Sequence, residues 1–80
     1  MATIHFSSGL ARYTGGVEVL AVDAPRVREL VAALTERFPE LTDPLEIMAV
    51  AIDGAILHDA DYARLSPESE VHFVPRIAGG

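Results

Sequence analysis

Few side chains in this chain have types and spacings suited to chemistry. The histidines are His5, His58 and His72. None forms the paired helical spacing that places two zinc ligands on one face. His5 and His72 fall on alternating segments, opposite the residues that face inward, and His58 falls at a loop edge, so all three read as surface or structural. Asp59 and Asp61 flank the same loop. They lack the glycine and closing glutamate of a calcium loop and read as solvated. Ser7, Ser8 and Ser66 are nucleophiles by type only, since none sits in a Gly-x-Ser-x-Gly elbow. Gly15-Gly16 leads into a strand pattern with no Lys-Ser/Thr after it, which makes a turn and not a phosphate cradle. Arg12 is a lone loop arginine able to take a carboxylate or phosphate bidentately. No metal site and no active site emerges from these residues. The reactive group in a distinctive setting is the main-chain carboxylate behind Gly79-Gly80. Without side chains, that dipeptide fits a channel too narrow for a Cβ atom and adopts backbone angles closed to other residues.

Composition narrows the function classes. The 80 residues suffice for one domain with a small core. Cysteine is absent, so the chain offers no disulfide, thiolate ligand or thiol nucleophile. Small secreted domains usually depend on disulfides, so a cytoplasmic location is expected. The start, Met1-Ala2-Thr3-Ile4-His5, has neither a basic region nor a long apolar run, and no signal peptide or membrane span is expected. The formal net charge is -6, and all six basic residues are arginines. Nucleic acid is not an expected partner, because no basic patch is available to displace counterions. An acidic surface suits protein partners with basic docking faces. The lack of lysine leaves no side-chain amine to accept an isopeptide bond.

The elements that would carry the carboxylate follow from the hydrophobic pattern. Residues 3–6 alternate, with Ile4 and Phe6 on one face, and read as a strand. Residues 7–16 are rich in serine and glycine and read as a turn region, and residues 17–22 as a second strand paired with the first. Asp23-Ala24-Pro25 reads as a helix start, with aspartate as the cap and proline in the first turn. Val27, Leu30, Val31, Leu34 and Phe38 recur at helical spacing as a core stripe that ends at Pro39. Residues 40–46 read as a polar connection and 47–52 as a buried strand. Asp53-Gly54 marks a tight hairpin turn into a short strand at 55–57. Residues 58–69 form a polar loop that Tyr62 and Leu65 pin to the core. Residues 70–74 are a last strand, with Val71 and Phe73 inward, which Pro75 terminates. One helix cannot cover both faces of such a sheet. The class is therefore α+β, two layers, with the second sheet face open to solvent or to a partner.

This order, together with the ending, resembles the ubiquitin-like β-grasp sulfur carriers, the family of the molybdopterin synthase small subunit (MoaD) and the thiamine sulfur carrier (ThiS). Ile4-His5-Phe6 followed by Arg12 and Gly15 is similar to the molybdopterin-type opening, and Met48 to Gly54 is similar to the family's third strand and turn. Ser66 to Gly80 resembles the acidic turn, last strand, proline, short apolar stretch and Gly-Gly. Arg76 stands where molybdopterin-type members often carry a second proline, and Tyr13 where an acidic residue is common. The long opening loop resembles the molybdopterin type, or carriers for cysteine or specialised thiocarboxylate pathways, more than the shorter thiamine type.

The resemblance implies a β-grasp domain over residues 1–75 and a flexible Gly-Gly tail over 76–80. The sheet would be mixed, with four or five strands and the main helix on one face. It also implies a carrier and not an enzyme. An E1-like adenylyltransferase would use ATP and magnesium, with no cofactor bound by the chain itself, to adenylate the Gly80 carboxylate. A sulfur donor of the cysteine desulfurase or rhodanese type would convert it to a thiocarboxylate for a sulfur-acceptor synthase subunit. Gly79 would thread the partner's channel, and Arg76, Ile77, Val74 and Arg12 would dock the tail or domain. Thiamine, cysteine and specialised-metabolite pathways stay open beside molybdopterin. A ubiquitin-like covalent modifier and a non-covalent binding module with an idle tail are the competing classes.

Overall fold

The computed structural model describes residues 1–57 and 59–75. The strands are β1 (Ala2–His5), β2 (Val19–Val22), β3 (Met48–Ile52), β4 (Ala55–Leu57) and β5 (Glu70–Pro75). The helices are α1 (Ser8–Ala11), α2 (Val27–Arg37) and α3 (Thr42–Glu46), with a 3₁₀ turn at Pro39–Leu41 leading into α3. The sheet has five strands in the order β2-β1-β5-β3-β4. Its two central strands, β1 and β5, run parallel, and every other pairing is antiparallel.

Alternation sorts the side chains into two faces. Ile4, Val71, Phe73 and Val50 point to the α2 side and are buried there with Leu30 and Leu34 of the helix. The predicted stripe holds: Val27, Leu30 and Leu34 are core, while Val31 and Phe38 pack partly buried against it. Phe38 meets Phe6 edge to face, with ring centroids 6.4 Å apart. The opposite face carries Thr3, His5, Glu70, His72, Val74, Ala49, Ala51 and Ile56 in register. No helix among the described residues is long and apolar enough to cross a membrane.

The turn at Asp53-Gly54 forms as expected. Both residues have positive φ, +50° and +89°, as a type I′ hairpin turn requires. The Asp53 side chain also ties this turn to β5, accepting a 2.8 Å hydrogen bond from the Glu70 backbone N–H.

Elsewhere the structure departs from the sequence-based expectation. The helix begins at Val27, and Asp23 does not cap it. The free N–H groups of Val27 and Arg28 instead donate to the carbonyls of Ala63 and Asp61, while Leu65 N–H donates to Pro25 O. A neighbouring loop thus satisfies the helix terminus that an N-cap side chain would otherwise serve. Residues 7–16 contain the short helix α1, whose Leu10 is buried. The stretch 40–46 is helical, and it buries Leu41 and Leu45, four residues apart. Leu65 is partly buried as expected, but Tyr62 is 70% exposed. Its hydroxyl accepts a hydrogen bond from the Arg28 guanidinium at 3.3 Å, so the ring lies on the surface over that arginine. Ala60 enters the core from this loop instead.

Candidate functional site

The candidate site is the end of β5, the last described element before Gly79-Gly80. β5 lies between β1 and β3, so it is held on both edges. Ile4 pairs with Val71 and His5 with His72 on one side. On the other side five pairs run from Ile52↔Val71 to Met48↔Pro75. Val71 is fully buried and Phe73 nearly so, while Glu70 and His72 stay exposed between them. Hydrophobic alternation thus fixes the face of the strand, and two ladders fix its register. Among the described residues Pro75 is the last paired one, opposite Met48. Having no N–H, it gives the β3 ladder no donor there.

Of the residues singled out in the sequence, Gly79, Gly80, Arg76, Ile77 and His58 lie outside the described residues. Val74 is half-buried on the face turned away from α2, opposite Ala49. Arg12 is exposed at the C-terminal end of α1, its guanidinium carbon 5.7 Å from the Tyr13 ring centre. The two stand on separate elements, one on the sheet and one on the helical side. Ser66 is part of a closed turn. Its N–H donates to Ser69 Oγ at 2.9 Å, and Ser69 N–H returns a bond to Ser66 O. Gly15 and Gly16 both have positive φ and make a turn, with Gly16 N–H donating to Ala11 O. Thr14 beside them is buried. Its hydroxyl lies 3.0 Å and 2.8 Å from the carbonyls of Ala11 and Val17 and shares one proton between them.

The strand face away from α2 carries a pairing the sequence did not reveal. His5 and His72 are register partners, and their rings stack 4.6 Å apart at 8° to one another. His5 Nε2 is 2.6 Å from Glu70 Oε1. Long-range parallel pairing brings these three together, and no local spacing signals it. Among the described residues no group of three histidine, cysteine or acidic side chains is placed to hold a metal ion.

A family model described as the ThiS family matches residues 4–80, the end of β5 and the segment beyond it included. The chain belongs to the ThiS family. It is thereby a member of a family of small sulfur carriers and ubiquitin-like modifiers. No curated protein sequence matches it significantly. Several solved structures share its fold. CysO, in the BexX/CysO complex from Amycolatopsis orientalis, superimposes with a TM-score of 0.84 at 17% identity, covering all of both chains. The small archaeal modifier protein 1 from Methanosarcina acetivorans gives 0.82 at 16% identity over 99% of this chain and 95% of its own. A putative molybdopterin converting factor subunit 1 from Pyrococcus furiosus gives 0.77 at 15%, over 95% and 97%. The ThiS-family chain therefore has the ubiquitin-like β-grasp fold, with one main helix on a five-stranded mixed sheet.

Proposed function

We infer that this ThiS-family chain is a sulfur carrier whose working group is the Gly80 carboxylate. The reading is supported above all by the pairing of a doubly held central strand, ending at Pro75, with a Gly-Gly ending in a chain that matches the family from residue 4 to residue 80. An E1-like adenylyltransferase binds the domain and aligns the carboxylate with magnesium-bound ATP. A carboxylate oxygen attacks the α-phosphorus, pyrophosphate leaves, and the terminus becomes an acyl-adenylate. A persulfide on the donor enzyme, of the cysteine desulfurase or rhodanese type, displaces AMP to give an acyl disulfide. A thiol of a partner enzyme then cleaves the S–S bond, which releases the thiocarboxylate and leaves the partner thiols joined as a disulfide. All of these thiols belong to partners, since this chain has no cysteine.

The chain contributes the nucleophile and the surface by which it is handled, and binds no cofactor of its own. Gly79 lies in the partner's channel, with Arg76 and Ile77 against its entrance. Val74 and Arg12 sit on the domain surfaces that approach the partner. The acceptor is a synthase subunit of the molybdopterin type, supported by the long β1–β2 connection carrying Arg12 and Gly15. The chain works in the cytoplasm, where ATP and reduced thiols are available.

The deciding experiment is intact-mass measurement after incubation with the cognate adenylyltransferase, magnesium-ATP and a sulfur donor. The terminus is expected to gain one oxygen-to-sulfur exchange, and an alanine added after Gly80 is expected to abolish it. Sulfur loading that persists with the added alanine refutes the assignment. Conjugates to lysines of other proteins, without any thiocarboxylate, would mark a modifier instead.

A further inference from the structure

A groove of about 740 Å³ opens at the place where β5 ends. Its apolar wall comes from Leu10, Tyr13, Pro44, Ile47 and Met48. These residues belong to α1 and the segment after it, to α3, to the link after α3, and to the start of β3. Pro75 lines it too, so the groove begins where the described chain stops. Ile47 is 71% exposed, the most exposed large hydrophobic side chain among the described residues. It sits between α3 and β3, where its backbone is set by both elements and its side chain has no core to enter.

The charged residues lining the groove are Glu40 and Asp43, both exposed, and no cationic side chain among the described residues joins them. Among the described residues neither carboxylate makes an ion pair. An apolar wall beside two carboxylates that no described cation neutralises fits an aliphatic or aromatic side chain next to an arginine or lysine.

Tail length says what must cover the groove. Five residues follow Pro75. Fully extended, five residues reach roughly 17 Å. An enzyme that holds the Gly80 carboxylate inside its active site spends much of that reach on the depth of its own channel. Its surface must therefore lie against the end of the domain where Pro75 emerges, and the groove is at that end. We propose that this groove seats an apolar side chain with an adjacent basic residue, both presented by the adenylating enzyme that takes the Gly80 carboxylate, an inference that rests on the carrier function above.

The test measures adenylation and self-association with the full chain. Pyrophosphate release by the cognate adenylating enzyme is followed as a function of carrier concentration. The carriers are the wild type, Ile47→Asp, the double variant Glu40→Arg/Asp43→Arg, and Asp23→Arg as an exposed charge control outside the groove. Circular dichroism checks each fold, and the exposure of all four positions makes them tolerant of change. Losing the central contacts of an interface is expected to raise the KM for carrier by about tenfold in both groove variants. Their kcat should stay unchanged, and the control should behave as wild type. Adenylation of every variant with the wild-type KM overturns the groove while leaving the carrier function intact. Failure of the wild type to be adenylated overturns both. Sedimentation of the wild type as a dimer that Ile47→Asp dissociates would show a second copy in the groove and overturn the proposal.

Discussion

Replacing Val71 tests whether the helix-facing layer is what holds β5 in place. Val71 is completely buried in the central strand, with Ile4 and Ile52 as its register partners on either side. Val71→Ala removes two carbon groups, worth about 0.8 kcal/mol each in transfer free energy. The cavity left between fixed neighbours adds to this and brings the cost to about 2–3 kcal/mol. A domain of this length has a total stability of about 4–12 kcal/mol, so the loss is a large fraction. The melting temperature should fall by about 10–20 °C. Val74→Ala on the same strand is the comparison. Val74 is half-buried on the opposite face, so no sealed cavity forms and the cost should be about 1 kcal/mol or less. The chain has no tryptophan, so urea unfolding is best followed by far-ultraviolet circular dichroism. Equal costs at the two positions, or a larger one at Val74, would refute the assignment of the anchoring face.

Substitutions at two further positions probe the turns. Gly54 has φ +89° and open space where a Cβ would sit, so Gly54→Val should cost about 1–2 kcal/mol through backbone strain alone. An unchanged urea midpoint would show that the hairpin does not depend on its left-handed turn. Thr14→Val keeps the shape but removes the hydroxyl between Ala11 O and Val17 O. It should cost about 1–2 kcal/mol, while Thr14→Ser should recover most of that. A serine variant as unstable as the valine variant would assign the effect to packing.

The sheet and main helix were legible because their signals are local. Ile4/Phe6 and Val71/Phe73 alternate, Val27 to Phe38 repeat at helical spacing, and Asp53-Gly54 names its own turn type. The errors fall where a tertiary contact replaces a local one. Asp23 suits a cap, but the carbonyls of Asp61 and Ala63 fill that role from the other side of the sequence. The spacing of Leu41 and Leu45 was visible, yet Glu40, Thr42, Asp43 and Pro44 around them gave the stretch a loop composition. Helix α1 spans one turn and includes Gly9, too short for any periodic signal. The role given to the Gly80 carboxylate is a proposal, but the Gly79-Gly80 ending itself was legible as a motif. The groove at its foot was not, because α1, α3 and β3 meet there only through the fold.

The parallel pairing of β1 and β5 also bears on what happens when the carboxyl end is tugged. Because the two strands point the same way, force applied between Ala2 and Pro75 acts along both strands in opposite senses. The inter-strand bonds are then loaded together in shear and do not open one after another like a zip. A pull on Pro75 against Ala2 is thus resisted by all the β1–β5 bonds at once.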